Sequence, residues 1–263
     1  MKRNLSVTRL KKILTLLAGR EEVSAAEMAE HFQVAGMTIR RDLERLAAQG
    51  RIIRTHGGAM LAAPSMVAFA FQDRQQSRMA EKRVIARAAA RLVEPGMTVI
   101  LDTGTTTLEL ARLLGDIPRL TVLTSSLAIA SALLSHKDQE LILLGGTVNT
   151  NSPDLSGPLT LENLGAFRAQ LAFVGADGAD RRGLYTGGQQ TAQVTRAMIA
   201  NAERAVLLAD SSKFGKTAFA RIVGWEAISH VIVDDALSSR TRTWLRQNVK
   251  ELSLVSATKQ ETL

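Results

Sequence analysis

The stretch from Val23 to Gly58 constrains the fold of this 263-residue chain more than any other. In residues 37–49, three apolar side chains recur at the spacing of one helical face: Ile39, Leu43 and Leu46. This spacing predicts a helix with a single buried stripe. Four polar side chains fall outside the stripe, namely Thr38, Arg40, Arg41 and Arg45. The predicted helix therefore has an apolar side and a basic side.

A short helix and a tight turn are predicted ahead of the basic helix. Ser24 and Glu27 have the spacing of a capping box, which predicts a helix over residues 25–32. Residues 33–36 form the predicted turn, and Gly36 can take a backbone conformation that other residues avoid. Helix, short turn and second helix form the helix-turn-helix pattern, in which the second helix enters the DNA major groove. An ordinary basic helical hairpin with solvated arginines is the alternative.

A β-wing is predicted after the basic helix. The helix should end at residues 49–50, where Gly50 is a suitable C-cap. Residues 51–58 follow, and they add two arginines and a histidine before a pair of glycines. Such a wing places further cations beside the helix.

Residues 24–59 resemble the winged-helix signature of the DeoR/GlpR family of bacterial repressors. The match includes MTIRRDL at residues 37–43 and RTHGGA at residues 54–59. The resemblance implies double-stranded operator DNA as a partner, with Thr38, Arg40 and Arg41 at the bases. Ser24, Arg51 and Arg54 would hold phosphates. The complete set of predicted DNA-binding residues is Ser24, Gly36, Met37, Thr38, Arg40, Arg41, Arg45, Arg51, Arg54 and His56.

Charge and composition fit a DNA-binding head on a larger body. Residues 1–60 hold 11 Lys/Arg against 6 Asp/Glu, whereas the remaining residues hold 22 against 19. Cations concentrated in this way are typical of a nucleic-acid-binding domain. The absence of cysteine excludes disulfides, and the four histidines lack the spacing of a metal site. We find no signal-peptide pattern and no membrane-length apolar run, and we expect a cytoplasmic, nucleoid-associated protein.

We expect two domains joined by a linker. Residues 1–60 are predicted to form a winged helix-turn-helix domain, beginning with a helix over residues 6–18. Residues 61–70 lose charge and periodicity around Pro64, which indicates a linker. Residues 71–263 are predicted to form an α/β sensing and oligomerisation domain. Its first helix should span residues 71–93, with Arg74, Glu81 and Lys82 on the outer face.

Short apolar runs alternate with helical stretches from Pro95 onward. Strands are predicted at residues 98–102, 120–124, 140–144, 171–174, 205–209, 230–233 and 252–255. Helices are predicted at residues 106–114, 127–136, 191–202 and 239–248. This alternation predicts an α/β fold with a largely parallel sheet covered by helices on both faces.

Five polar clusters follow predicted strands, at the edge where open α/β sheets bind ligands. The first, DTGTTT at residues 102–107, combines a glycine, hydroxyls and a helix N-terminus, which suits an anion. The others are residues 124–126, 145–146, 175–178 and 210–215. Taken singly, each cluster is equally well read as a structural turn.

Together the clusters resemble the sensor domain of the same family, which shares its fold with ribose-5-phosphate isomerase. The resemblance implies a phosphorylated sugar or sugar alcohol as effector. The predicted effector-binding residues are Asp102, Gly104, Thr105, Thr106, Thr107, Thr124, Ser125, Gly145, Gly146, Gly175, Asp177 and Lys213. The chain departs from the family pattern at Ser125, Gln170 and residues 189–194, and these departures bear on which ligand is recognised.

A sugar-phosphate isomerase or deaminase is the alternative function, with Asp102, Asp177, Asp210 or Lys213 as candidate base. Enzymes seldom carry a DNA-binding head, so we expect a regulator. Nucleotide-cofactor motifs and the hydrolase elbow are missing from the sequence, and we expect no cofactor. With the family resemblance, the sequence implies a repressor of a carbohydrate-utilisation operon that acts as a homo-oligomer and responds to a phosphorylated effector. An activator would carry the same head.

Overall fold

The computed structural model describes residues 9–10, 12–17, 20, 22–48, 51–61, 71, 73–148 and 152–257. The chain divides into two compact units. The first is drawn from residues 1–73 and 150–152, and the second from residues 74–149 and 153–263.

The first unit combines helices with a small antiparallel sheet. Its described helices are α1 (residues 12–17), α2 (Ala25–His31) and α3 (Gly36–Ala48). Its described strands are β1 (Val23–Ser24), β2 (Ile52–Arg54) and β3 (Gly58–Leu61), with β3 between the other two. The β2–β3 hairpin is the wing that the sequence predicts, and we call this part of the molecule the winged-helix unit.

The stripe predicted on α3 lies in the core of the winged-helix unit. Ile39, Leu43 and Leu46 are at most 2% exposed. They form one cluster with buried residues of the other elements, namely Ile13, Leu14, Leu17, Val23, Met28, Ile52 and Ala59. Removing these apolar side chains from water is the main favourable contribution to the folding of so small a unit.

The turn between α2 and α3 differs from the prediction. Gly36 is the first residue of α3, and its φ is not positive. The left-handed residue of the turn is Gln33, with φ of 52°. The chain reverses there because the N–H groups of Gln33 and Val34 donate to Glu30 O and Ala29 O, which end α2. The left-handed conformation that Gly36 could take is therefore adopted by Gln33.

The second unit is built on a seven-stranded sheet, and we call it the sheet unit. Its strands are β4 (Thr98–Leu101), β5 (Thr121–Thr124), β6 (Glu140–Leu143), β9 (Ala169–Val174), β12 (Ala202–Leu208), β14 (His230–Asp234) and β15 (Glu251–Val255). The order is β15-β14-β12-β9-β4-β5-β6, and every neighbouring pair is parallel. The prediction of a parallel sheet is confirmed, and all seven predicted strands are present.

The strand order reverses direction between β4 and β9. The chain moves outward from β4 through β5 to β6, and then crosses to β9 and proceeds the other way. In sheets of this kind the crevice at the carboxyl ends of the two strands at the reversal is where ligands bind. We call this place the β4/β9 crevice, and residues 102–107 and 175–178 line it from the two strand ends.

Six helices of the described chain accompany this sheet. They are α4 (Met79–Ala90), α5 (Thr105–Leu114), α6 (Leu127–Leu133), α7 (Pro158–Gly165), α8 (Gln189–Ala200) and α9 (Ser239–Asn248). The sequence did not predict α7, which begins with Pro158 directly after Gly157. It also did not predict two small antiparallel sheets. One pairs β7 (Thr147–Val148) with β8 (Leu155–Ser156), and the other joins β10 (Gly178–Asp180), β11 (Gly183–Thr186) and β13 (Ala220–Arg221).

The helix predicted over residues 71–93 is interrupted. Residues 73–76 are helical, residues 77–78 form a turn, and α4 starts at Met79. Arg78 makes the break with a left-handed backbone, φ 51° and ψ 43°. Lys82, predicted on the outer face, is 5% exposed. Its ammonium group donates to Ser77 O at 2.7 Å and to Arg74 O, which explains how a charged side chain can be buried.

An aromatic cluster lies in the sheet unit. The Phe214 and Trp225 rings are stacked with centroids 6.4 Å apart, and Trp225 meets Trp244 edge-on at 5.4 Å. The indole N–H of Trp225 donates to Asp180 O at 2.8 Å. The cluster joins β10, the 3-10 turns at residues 211–213 and 225–227, and helix α9.

Two predictions concern residues outside the described chain. The linker prediction falls on residues 62–70, while Leu61 belongs to β3. The predicted helix end at residues 49–50 also lies outside the described residues. Of the helices that the structure describes, none combines the length and the apolar character needed to cross a membrane.

Candidate DNA-binding surface and ligand crevice

The outward side of α3 is basic. Arg40, Arg41 and Arg45 are exposed, and Thr38 is half-buried beside them. Met37 begins this surface with 59% of its side chain exposed. An exposed helix of this kind, backed by a buried apolar stripe, has the size and the donors needed to read base edges in a major groove.

A partly buried ion pair joins α3 to Arg9. Asp42 is 2% exposed, and its Oδ2 lies 2.5 Å from Nε of Arg9, a helical residue ahead of α1. Arg40 and Arg41, by contrast, are exposed. Within the described residues neither of these two arginines forms an ion pair, so both can meet DNA phosphates or bases.

The wing and the α2 cap supply the other predicted DNA-binding residues. His56 is exposed at the turn between β2 and β3, and Arg54 is exposed with Nη1 3.5 Å from Glu44 Oε1. Arg51 is half-buried, and burial lowers the pKa of its guanidinium, opposed by the charge of Asp73. Ser24 caps α2, since its Oγ accepts from Glu27 N at 3.1 Å. Ser24 therefore has a structural task that the sequence also predicts.

Asp102 ties the two sides of the β4/β9 crevice together. Its Oδ2 accepts from Gly175 N at 3.0 Å, and its Oδ1 accepts from Thr195 Oγ1 of α8 at 3.3 Å. Burial raises the pKa of this carboxyl, the backbone N–H groups of Gly175 and Thr103 lower it, and the charge of Asp177 raises it further. Asp102 is 6% exposed, and its hydrogen bonds to Gly175 and Thr195 stabilise the crevice.

The N-terminus of α5 faces the β4/β9 crevice. Gly104 is its N-cap and provides no side chain for the first-turn amides. Thr107 turns its hydroxyl inward and donates to Asp102 O at 2.7 Å and Gly104 O at 2.6 Å. The amides of residues 105–107 thereby form a cradle at the positive end of a ten-residue helix, an arrangement that attracts anions.

Further polar groups come from β9 and β12. Asp177 Oδ2 accepts from Thr186 Oγ1 at 3.0 Å and from Gly187 N at 2.8 Å. Asp210 is 3% exposed, and its Oδ1 accepts from Ser212 N at 3.0 Å. Lys213 lies in the 3-10 turn that follows, half-buried. The structure thus brings the clusters at residues 102–107, 175–178 and 210–213 to one edge of adjacent strands.

The clusters after β5 and β6 are mainly engaged in local structure. Thr124 Oγ1 donates to Leu101 O at 2.8 Å, which links β5 to β4. Gly145 and Gly146 have φ of 68° and 119°, and a Cβ on Gly146 would lie 2.0 Å from Thr160 Oγ1. These glycines allow α7 to pack closely, and they lie two strands away from β4.

The three departures from the family pattern occupy different places. Ser125 is fully buried at the end of β5, and its Oγ has no hydrogen-bond partner among the described residues. Gln170 lies at the amino ends of the strands, where its Oε1 accepts from Thr98 N at 2.7 Å, so it is remote from the crevice. Residues 189–194 form the first turns of α8, and Gln190 Oε1 accepts from Ser156 Oγ at 3.1 Å.

The sequence missed three cations at the carboxyl edge. Arg74 Nη1 lies 3.7 Å from Asp177 Oδ1, and Arg78 Nε lies 3.5 Å from Asp210 Oδ1. Burial lowers the pKa of the Lys82 ammonium, and the charges of Asp210 and Lys213 act on it in opposite directions. The break at Arg78 brings these side chains over the strand ends, and helical periodicity alone could not predict that break.

A basic recognition helix on a winged helix-turn-helix, with a polar crevice at the switch point of a parallel sheet, defines a DNA-binding regulator with a ligand-sensing domain. Residues 9–64 match the family described as the DeoR-like helix-turn-helix domain. Residues 77–235 match the DeoR C terminal sensor domain. The chain belongs to the DeoR family of transcriptional regulators, which confirms the resemblance seen in the sequence.

Several relatives along most of the chain are transcriptional repressors by name. The glycerol-3-phosphate regulon repressor of Escherichia coli strain K12 is 34% identical over 223 residues, which cover 84% of this chain and 88% of that protein. The transcriptional repressor GlcR of Bacillus subtilis strain 168 is 33% identical over 226 residues, which cover 86% and 87%. These relatives confirm the prediction of a regulator, and the alternative of a sugar-phosphate enzyme is set aside.

Solved structures overlap with this chain less closely. Ribose 5-phosphate isomerase A from Methanocaldococcus jannaschii is 24% identical and has a TM-score of 0.38, over 51% of this chain and 53% of that one. A TM-score at this level supports no statement about a ligand or a reaction.

Proposed function

We propose that this protein represses a carbohydrate-utilisation operon and that a phosphorylated sugar or sugar alcohol lowers its affinity for operator DNA. The observation that carries the proposal is the presence, in one chain, of the basic α3 surface and of the anion cradle at residues 104–107. The names of the relatives, a glycerol-3-phosphate regulon repressor and GlcR, support a role in sugar metabolism. The protein would act in the cytoplasm, on the nucleoid.

The DNA-binding half of the proposal assigns roles by exposure. Arg40 and Arg41 are exposed without ion pairs among the described residues, and we assign them, with Thr38, to base edges. Arg54 and His56 of the wing are assigned to phosphates. A helix-turn-helix reads one half-site, and two copies related by symmetry are needed for a palindromic operator. We therefore propose a homodimer or a higher homo-oligomer.

The effector half of the proposal assigns the phosphate group to the amides of residues 105–107. Lys213 supplies a positive charge from β12's end, and Asp177 supplies an acceptor for a sugar hydroxyl. No resident cofactor is part of this proposal. The effector can lower DNA affinity only if it binds the conformation that does not bind operator DNA more tightly than the conformation that does.

The first experiment is a thermal-shift screen of the wild-type protein with sugar phosphates and their free sugars. A ligand at about 100 times its dissociation constant should stabilise the folded protein by about 2.7 kcal/mol. We expect a shift with one phosphorylated compound and none with its free sugar. The same compound should then weaken binding to a duplex selected from a random DNA library. If no phosphorylated sugar changes the melt or DNA binding, the effector proposal is wrong.

A second experiment tests the DNA-binding surface with two matched arginine variants. Arg41→Ala should weaken binding to the selected duplex by about tenfold to a hundredfold and relax base preference at one position. Arg87→Ala, an exposed arginine on α4, is the control and should leave DNA affinity unchanged. Equal affinities for the wild type and Arg41→Ala would remove Arg41 from the recognition surface.

A further inference from the structure

Two ion pairs join the first residues of the sheet unit to the carboxyl ends of its strands. Residues 74–78 are the first of this unit, directly after the chain leaves the winged-helix unit. Arg74 reaches Asp177, which follows β9, and Arg78 reaches Asp210, which follows the neighbouring strand β12. Lys82 joins the same residues to α4, because its ammonium group donates to the backbone carbonyls of Arg74 and Ser77.

Both ion pairs are of a kind that a stronger anion can replace. The N–O distances of 3.7 Å and 3.5 Å are longer than those of good charge-assisted hydrogen bonds. The Arg74 and Asp177 side chains are 47% and 37% exposed, and exposed pairs of this type contribute little stability. The Arg78 side chain is 41% exposed, whereas its partner Asp210 is buried. Asp177 also accepts from Thr186 Oγ1 and Gly187 N, and Asp210 also accepts from Ser212 N, so each carboxylate keeps a hydrogen-bond donor when its arginine leaves.

We propose that Arg74 and Arg78 are effector-binding residues that exchange their carboxylate partners for the phosphate group of the ligand. The proposal rests on the anion cradle assigned above. In the ligand-free protein the two guanidinium groups pair with Asp177 and Asp210. With a phosphate in the β4/β9 crevice, they pair with its oxygens, since planar guanidinium groups fit phosphate oxygens in a bidentate manner.

This exchange gives the ligand a direct route to the chain entering from the winged-helix unit. Arg78 has a left-handed backbone in the ligand-free arrangement, a conformation that costs a non-glycine residue free energy unless its surroundings hold it. Loss of the Asp210 contact removes one of the groups that hold it. Ligand binding therefore changes the conformational preference of residues 74–78, and the change is available for regulation of DNA binding.

The test uses inorganic phosphate as probe, measured by titration calorimetry at constant ionic strength. Relative to the wild type, the Arg74→Ala/Arg78→Ala double variant should bind phosphate about tenfold to a hundredfold more weakly. Arg83→Ala is the matched control, because Arg83 lies on α4 and pairs at 3.8 Å with Glu109 of α5. Its affinity should stay within about twofold of the wild type.

Asp177→Asn provides a change of opposite sign. It removes the competing charge while its amide oxygen can still accept from Gly187 N, so phosphate should bind more tightly than to the wild type. If Asp177→Asn weakens phosphate binding, Asp177 supports the site instead of competing for Arg74, and the exchange is wrong. Hydrogen exchange of the amides of residues 74–82 should change on adding phosphate to the wild type, and not in the double variant.

The outcomes separate this inference from the proposed function. If the wild type binds no phosphate, the anion cradle itself fails, and the inference fails with it. If the wild type and the double variant bind phosphate equally, the cradle stands and only the role of Arg74 and Arg78 is overturned. Circular dichroism of each variant confirms that any loss is not caused by unfolding.

Discussion

Replacing Gly58 by alanine should unfold the winged-helix unit, because β3 has no room for a side chain at this position. A Cβ atom on Gly58 would lie 2.2 Å from Val23 O and 2.8 Å from the Cα of Ser24. Both atoms belong to the backbone of β1, which pairs with β3 in this register. No rotamer change can relieve such a contact, so the two strands must separate.

The cost follows from what the strand separation breaks. Overpacking against a rigid neighbour costs about 1–3 kcal/mol. Moving β1 also displaces Ser24, whose hydroxyl caps α2 through Glu27 N, and a lost N-cap costs about 1 kcal/mol. The sum of about 2–4 kcal/mol compares with the roughly 3–5 kcal/mol that the core of a unit this small supplies. Most of its stability should therefore be lost.

The neighbouring glycine is the control for this prediction. A Cβ on Gly57 would meet nothing within 4 Å, so Gly57→Ala should behave as the wild type. We would follow thermal unfolding by circular dichroism at about 222 nm and measure affinity for duplex DNA. Gly58→Ala should lose DNA binding and part of its helical signal at 25 °C. Wild-type melting and DNA affinity in Gly58→Ala would show that β1 and β3 do not approach this closely.

Three further changes test the burial and electrostatics of the two units. Because the pKa of Asp102 is raised in the folded state, the free energy of unfolding should fall as pH rises from about 3.8 through the folded pKa. Urea titrations of Asp102→Asn should show no such fall with pH. Burial lowers the pKa of His230, so the free energy of unfolding should fall as pH drops from about 6.5 through the folded pKa. His230→Asn should remove this fall, and an unchanged pH profile in the variant would exclude His230 as the cause. Leu43→Ala should lower the free energy of unfolding by about 2–5 kcal/mol and abolish DNA binding. Leu134→Ala, at a residue that is 76% exposed, should change it by less than about 0.5 kcal/mol, and similar losses in both variants would contradict the assigned core.

Local patterns were sufficient to predict most elements of both units. The spacing of Ile39, Leu43 and Leu46 predicts the buried side of α3, because helical periodicity decides which side chains can share a face. Asp102 and Gly175 could be predicted to follow strands, because each comes directly after an apolar run. Their separation by more than seventy positions could not indicate that Asp102 would accept a hydrogen bond from Gly175. That contact depends on the order of strands in the sheet.

The errors arose where a tertiary contact outweighed a local preference. Lys82 is a poor candidate for burial by residue type, yet two backbone carbonyls of the preceding turn satisfy its ammonium group. Gln33 adopts the left-handed conformation although a glycine is available three residues later. Helix α7 was not predicted because a Gly-Pro pair such as Gly157 and Pro158 is typical of a turn. In the structure Pro158 is the first residue of the helix.

The aromatic cluster gives the two units different optical properties. The chain has two tryptophans and one tyrosine, and Trp225, Trp244 and Tyr185 all belong to the sheet unit. The tryptophan and tyrosine emission of the protein therefore reports on the sheet unit alone. A variant that unfolds only the winged-helix unit should keep the wild-type emission spectrum while losing helical circular dichroism. DNA can thus be titrated against an unmodified chain, and any change in tryptophan emission reports on the sheet unit.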